Sequence, residues 1–140
     1  MPLSLIRFNL IDPSLNSESL SSRYQAMLEM AEFVDKHGFF MATFEEHHGA
    51  DNAWSPTPLI NAATVLARTT NLSASISALL LPLHDPIRVA EDIAVIDLMS
   101  GGRLTVILGL GYRPSEYQLM GKNWENRGKL MDESVQTLLN

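Results

Sequence analysis

Four short apolar segments begin near residues 3, 39, 72 and 103, and each is followed by a helix-patterned stretch. This interval of a little over 30 residues constrains the fold more than any other feature. Strands separated by a helix cannot be joined as hairpins. Each connection must cross over the sheet, so neighbouring strands run parallel. The first strand is expected over residues 3–10, ended by Asp12-Pro13. The helix after it has Ser17 or Ser19 as N-cap, Leu20, Tyr24, Met27, Leu28, Ala31 and Val34 at helical spacing, and Gly38 as a left-handed stop. Residues 39–44 form the second strand. A polar loop leads to Thr57, which can cap a helix with Pro58 at its first position, running to about residue 70. The third strand covers residues 72–81. Asp85 can cap and Pro86 can start the next helix, which Gly101-Gly102 stops near residue 100. Residues 103–108 are the fourth strand. A loop, a short helical piece near Glu116 and a helix from about Asn126 onward complete the chain.

Eight such units need roughly 250 residues, the usual size of a (β/α)8 barrel. The 140 residues here hold four, read as a single domain over residues 1–140: an α/β half barrel of TIM type. An open doubly wound sheet of four strands is the competing architecture. A half barrel leaves its first and fourth strands as open edges. It is therefore expected to be a piece of a longer barrel, a truncated product, or a subunit that a second chain completes. Two helices carry more apolar surface than one sheet needs. The one near 58–70 has Leu59, Ile60, Ala62, Ala63, Val65 and Leu66; the one near 86–99 has Ile87, Val89, Ile93, Val95, Ile96 and Leu98. Their surplus face is expected to meet a protein partner.

Composition excludes some classes. There is no cysteine, so disulfides and thiolate metal sites are ruled out. A net charge of −6 without a Lys/Arg cluster argues against nucleic acid. No apolar run reaches membrane-spanning length. The start Met1-Pro2-Leu3-Ser4-Leu5 lacks a basic leader, so a cytoplasmic location and no membrane partner are expected.

Glu45-Glu46-His47-His48 follows the second strand directly. A histidine at a strand's C-terminal end can act as a general base near neutral pH, with a carboxylate to fix its tautomer. The same four residues also read as a solvated polar loop. A metal site would need more ligands from His37, His84, Asp51 or Asp85, at no recognised spacing, and none is expected. After the fourth strand comes Gly109-Leu110-Gly111-Tyr112. It lets backbone approach a flat ring or a phosphate, or it is a plain turn. Pro114 rules out a dinucleotide fingerprint. Small residues at Ser73, Ser75 and Ser77 leave room for a ring or fit a tight barrel interior. Trp54 and Trp124 can cover a ligand, and Arg103 can pair with Asp97 or Glu91.

The ordered set resembles the bacterial luciferase-like flavin-dependent monooxygenases over nearly the whole chain. The matching pieces are Phe44-Glu45-Glu46-His47-His48, Leu80-Leu81-Pro82, Asp85-Pro86-Ile87-Arg88, Glu91-Asp92, residues 97–104 and Gly109-Leu110-Gly111, with weaker agreement at Glu116-Tyr117, Gly121 and from Arg127 on. The resemblance implies a (β/α)8 barrel and reduced FMN, with O2 and an organic substrate as reactants. F420-dependent hydride transfer belongs to one branch, and a non-catalytic flavin-binding or oligomerising half barrel is a further alternative. By position it implies His47 as the active-site acid/base. It implies a flavin platform of Ser77 and Ala78, joined by a non-prolyl cis peptide, with Glu46, Gly109, Leu110 and Gly111 beside the cofactor. Luciferases carry an arginine for the flavin phosphate where this chain has Leu110; Arg113 is near but not equivalent. The family's dimers pack the second and third helices, here those near 58–70 and 86–99, so a homodimer is expected.

Overall fold

The strands at this spacing form one parallel sheet in the order β1 (Leu5–Phe8), β2 (Met41–Phe44), β3 (Ser73–Leu79), β4 (Leu104–Leu108). The computed structural model describes residues 3–139. The leader reading at Met1 and Pro2 and the final Asn140 lie outside the described residues. Every crossover steps one strand in the same direction. A doubly wound sheet would reverse its order at a switch point, and this one does not. With right-handed crossovers, the three helices that join the strands fall on one face, as in a barrel.

The register places Phe8 beside Phe44, Phe44 beside Ile76 and Ile76 beside Val106. Phe8 and Phe44 stack with ring centroids 5.8 Å apart. Helices α1 (Ser17–Lys36), α2 (Pro58–Arg68) and α3 (Pro86–Ser100) cover this row with Met27, Ala31, Val34, Val65, Leu66, Val89 and Ile96. Each large side chain so buried contributes roughly 1.5–3 kcal/mol. The alternate row carries Arg7, Thr43, Ser75 and Thr105 on the opposite face. The small, polar face expected from the serines of β3 is therefore present.

Caps set the helix ends. Asn16, not Ser17 or Ser19, is the N-cap of α1: its Oδ1 accepts from the Glu18 and Ser19 N–H groups at 2.9 and 3.2 Å. Asparagine caps as well as serine, and Asn16 has the extended backbone a cap needs. Asp85 caps α3 as expected, accepting from Ile87 N and Arg88 N. Thr57 stands at the N-cap of α2, but its side chain makes no capping bond, and the helix ends at Arg68. Gly101 stops α3 in the left-handed region, at φ 70°.

Two charged residues tie down the N-terminal ends of β3 and β4. The Asp35 carboxylate accepts from the backbone N–H groups of Thr70, Asn71 and Leu72 at 3.0, 2.8 and 2.7 Å. Arg103 does not pair with Asp97 or Glu91. Its guanidinium donates to the carbonyls of Ser100, Leu72 and Leu66, each at 2.8 Å, and to Thr69 Oγ1 at 3.2 Å. The carbonyls it takes are those of Ser100 at the end of α3, Leu66 at the end of α2 and Leu72 before β3, all within reach of one planar fork.

At the other end, β3 runs into a 3-10 turn, Leu81–Leu83. α4 (Pro114–Leu119) and α5 (Arg127–Leu138) complete the chain. Leu80, Leu83 and Tyr117 form a small second core with Trp124 packed on it. Trp124 is thus structural: it meets Tyr117 edge-on at 5.1 Å, and the Arg127 guanidinium lies 4.0 Å from its ring centre.

Candidate active site

A cleft of about 430 Å³ opens at the C-terminal ends of the strands. Parallel α/β folds place their chemistry there, because the βα loops converge at that end. One wall is Glu45, Glu46, His47 and Trp54 from the loop after β2. The floor is Ser77, Ala78 and Leu80 from β3 with Gly109 and Gly111 from the turn after β4. Arg7 and Tyr112 also line it.

The floor has a local cause. The β3–β4 register slips between Ser77 and Leu79, so Ala78 is extra in the ladder. The Ser77–Ala78 peptide bond is cis, as the resemblance implied. Gly109 donates to the Leu79 carbonyl at 2.7 Å. A Cβ at Gly109 would lie 2.7 Å from the Ala78 Cβ, so only glycine lets the two strand ends close up. Gly111 has φ 77°, which turns the chain back over Leu80.

His47 and His48 are buried, not solvated. The His47 Nδ1 lies 3.0 Å from Glu116 Oε1, and Glu116 is 1% exposed. A carboxylate can only accept, so Nδ1 carries the hydrogen and Nε2 is the ring nitrogen free to exchange a proton. The same Glu116 oxygen accepts from the His48 backbone N–H at 3.1 Å. Glu116 Oε2 is buried without a partner. Trp54 packs on the His47 ring with centroids 3.8 Å apart, and Tyr112 meets it edge-on at 5.9 Å. The Trp54 indole donates to Glu45 Oε2 at 3.0 Å, while Glu45 Oε1 pairs with Arg7.

Glu46 faces both the cleft and the turn after β3. Its Oε2 accepts from the Leu80 N–H at 2.6 Å, and its Oε1 from His48 Nε2 at 2.7 Å and His84 Nε2 at 2.5 Å. Burial alone would raise the Glu46 pKa. The hydrogen bonds from His48, His84 and Leu80 outweigh it and bring the carboxyl down to about 2.

The structure therefore gathers Glu46, His47, Ser77, Ala78, Gly109 and Gly111 around one cleft. Leu110 is not in its lining; its carbonyl accepts from the Tyr117 hydroxyl at 2.5 Å. Glu116 is the partner that spacing missed. It stands 69 residues from His47, and the signals were an acidic residue in the helical piece after the fourth strand and the weak family agreement at Glu116-Tyr117. Arg7 and His84 were missed as cleft and clamp residues for the same reason, their partners being distant in sequence.

A family model described as luciferase-like monooxygenase matches residues 1–140. The oxygenase component of the flavin-dependent trigonelline monooxygenase of Acinetobacter baylyi is 26% identical over 119 residues, 84% of this chain and 33% of that protein. The crystal structure of the monooxygenase RslO1 from Streptomyces bottropensis superposes with a TM-score of 0.86 at 26% identity, covering 97% of this chain and 42% of that one. The oxygenating constituent of 3,6-diketocamphane monooxygenase of Pseudomonas putida, solved with FMN, shares the fold. Its TM-score is 0.87 at 20% identity, over 99% of this chain and 38% of that one. The chain spans about a third of the length of the curated relatives it matches.

Proposed function

The chain belongs to the luciferase-like monooxygenase family, and we propose that its cleft is one side of an active site in which reduced FMN and O2 oxygenate a small organic substrate. The observation that carries this reading is His47, held by the buried Glu116 at the wall of a cleft whose floor, Leu80 apart, is small residues and bare backbone.

The residues present fit the flat ring of a flavin. Ser77, Ala78, Gly109 and Gly111 project nothing larger than a hydroxymethyl group, so a planar ring can lie against them. They do not supply a phosphate grip. The arginine in the lining, Arg7, is already paired with Glu45. When bound, the reduced flavin would supply the electrons that activate O2. The protein's part is positional. His47 can take or give a proton at Nε2 while Glu116 holds the Nδ1 hydrogen. Trp54 packs against the imidazole and Tyr112 meets it edge-on, which orients the ring at the cleft wall.

Anaerobic titration of the chain with reduced FMN, followed by flavin absorbance, is expected to saturate at one site. A folded sample with no saturable binding would overturn the reading of the floor. In the whole protein, His47→Ala should cut oxygen-dependent turnover by about 10²–10⁴ while FMN affinity changes little. Unchanged turnover would remove His47 from the chemistry.

The outer face supports a homodimer. Ile60 of α2 and Ile87, Val95, Leu98 and Met99 of α3 are exposed, Leu98 by 82%. Two copies pairing through these helices would cover that surface. Leu98→Glu should shift the species seen by analytical ultracentrifugation from dimer to monomer; a wild-type monomer would refute the pairing.

A further inference from the structure

We infer that Glu46, His48 and His84 form a binding site for one divalent transition-metal cation of the Zn2+ class, a site that no sequence spacing announces. Two imidazole nitrogens and one carboxylate oxygen lie within 4.8 Å of one another. The arrangement is convergent: both Nε2 atoms point at the same oxygen, Glu46 Oε1. His84 comes from the turn after β3 and the other two from the loop after β2, so only the fold assembles the set.

The donor set is the one borderline cations select, two neutral imidazoles and a carboxylate. The surroundings are those of a built site. The Glu46 and His48 side chains are 0% and 6% exposed, and the Leu80 N–H holds the second Glu46 oxygen, which fixes the carboxylate's direction. The His84 side chain, 30% exposed, gives the ion a way in and leaves a fourth position for water.

At present protons bridge the three groups, with separations of 2.5 and 2.7 Å. Metal bonds of about 2.0–2.1 Å in a tetrahedron hold their ligand atoms about 3.3 Å apart. The two carboxylate–imidazole separations must each open by less than an ångström, and the partly exposed His84 is the member free to move. Each neutral imidazole then carries its hydrogen on Nδ1 and turns the Nε2 lone pair to the ion.

The test is calorimetric titration of the purified chain with ZnCl2, with zinc-edge X-ray absorption on the saturated sample. One ion per chain and a shell containing two imidazoles are expected. His84→Ala should weaken binding by roughly a hundredfold. His84 is partly exposed, so this variant is expected to fold; His84→Asn serves as a second. His37→Ala should leave binding unchanged, because His37 lies on the exposed end of α1 with its Nδ1 on the Phe33 carbonyl at 2.6 Å. No saturable binding, binding that survives both His84 variants, or binding lost with His37 would each overturn the inference.

Discussion

Replacing Gly109 with alanine tests whether the closeness of the β3 and β4 ends is enforced. The new Cβ would stand 2.7 Å from the Ala78 Cβ and 3.5 Å from the Leu79 carbonyl oxygen. Carbon atoms rest at about 3.5–4.0 Å, so the strand ends must part by roughly 1 Å. The Ala78 Cβ is fixed to backbone and cannot swing aside. Overpacking of this kind costs about 1–3 kcal/mol. Stretching the 2.7 Å bond from Gly109 to Leu79 adds about 1 kcal/mol. With a urea slope of about 2 kcal/mol per molar, the midpoint should fall by about 1–2 M. Alanine at Gly128, at the start of α5 with open space around its would-be Cβ, should instead raise the midpoint, by about 0.5 kcal/mol of stability. The decisive arm is a double-mutant cycle. Ala78→Gly removes the atom that clashes, so the pair Gly109→Ala with Ala78→Gly should be more stable than the sum of the singles by 1 kcal/mol or more, on the order expected for contacting residues. Additive singles would refute the steric account, as would a Gly109→Ala protein with the wild-type midpoint.

Three further expectations concern other residues. Arg103→Lys should destabilise the chain by about 2–3 kcal/mol in chemical denaturation, since one ammonium cannot replace a fork that reaches three carbonyls and a hydroxyl. Burial pushes the Asp35 pKa up, but the Thr70, Asn71 and Leu72 N–H groups pull it further down, to a net value below the ordinary 3.8. Its stabilisation is therefore present above about pH 4 and lost as pH falls through the depressed value, so the acid-side decline in melting temperature should flatten in Asp35→Asn. Glu116→Gln should lower turnover of the whole protein by about 10–100-fold, the worth of one buried charge-assisted hydrogen bond, with little change in flavin affinity; equal loss of both would make Glu116 merely structural.

Periodicity made the sheet legible. The recurrence of apolar segments predicts four parallel strands, and Pro58, Pro86 and Gly101 mark helix ends through backbone chemistry that acts within a few residues. The first cap was misplaced because Asn16, Ser17 and Ser19 all offer a capping oxygen, and only the backbone angle chooses among them. Arg103 was misassigned because backbone carbonyl acceptors leave no mark in the side-chain sequence. Glu46, His47 and the glycine turn stood out because each follows a strand directly, and the structure brings them to one cleft. Glu116 and His84 were named without their partners, since those contacts arise from loops that meet only after the sheet has formed. The split role of the two adjacent histidines was equally hidden. One turns to Glu116 and the other to Glu46, and nothing in the pair His47-His48 tells them apart.

The placement of Asp35 and Arg103 at the opposite end of the strands from the cleft bears on how such a chain can change over generations. Substitutions drifting through the loops that carry Trp54 and Tyr112 leave these two anchors untouched. New substrate preferences can then accumulate at one rim while the other keeps the population of folded molecules constant. A library confined to the cleft rim should accordingly return many soluble variants of altered chemistry, whereas the same mutational load around residues 68–73 and 100–104 should return mostly insoluble ones.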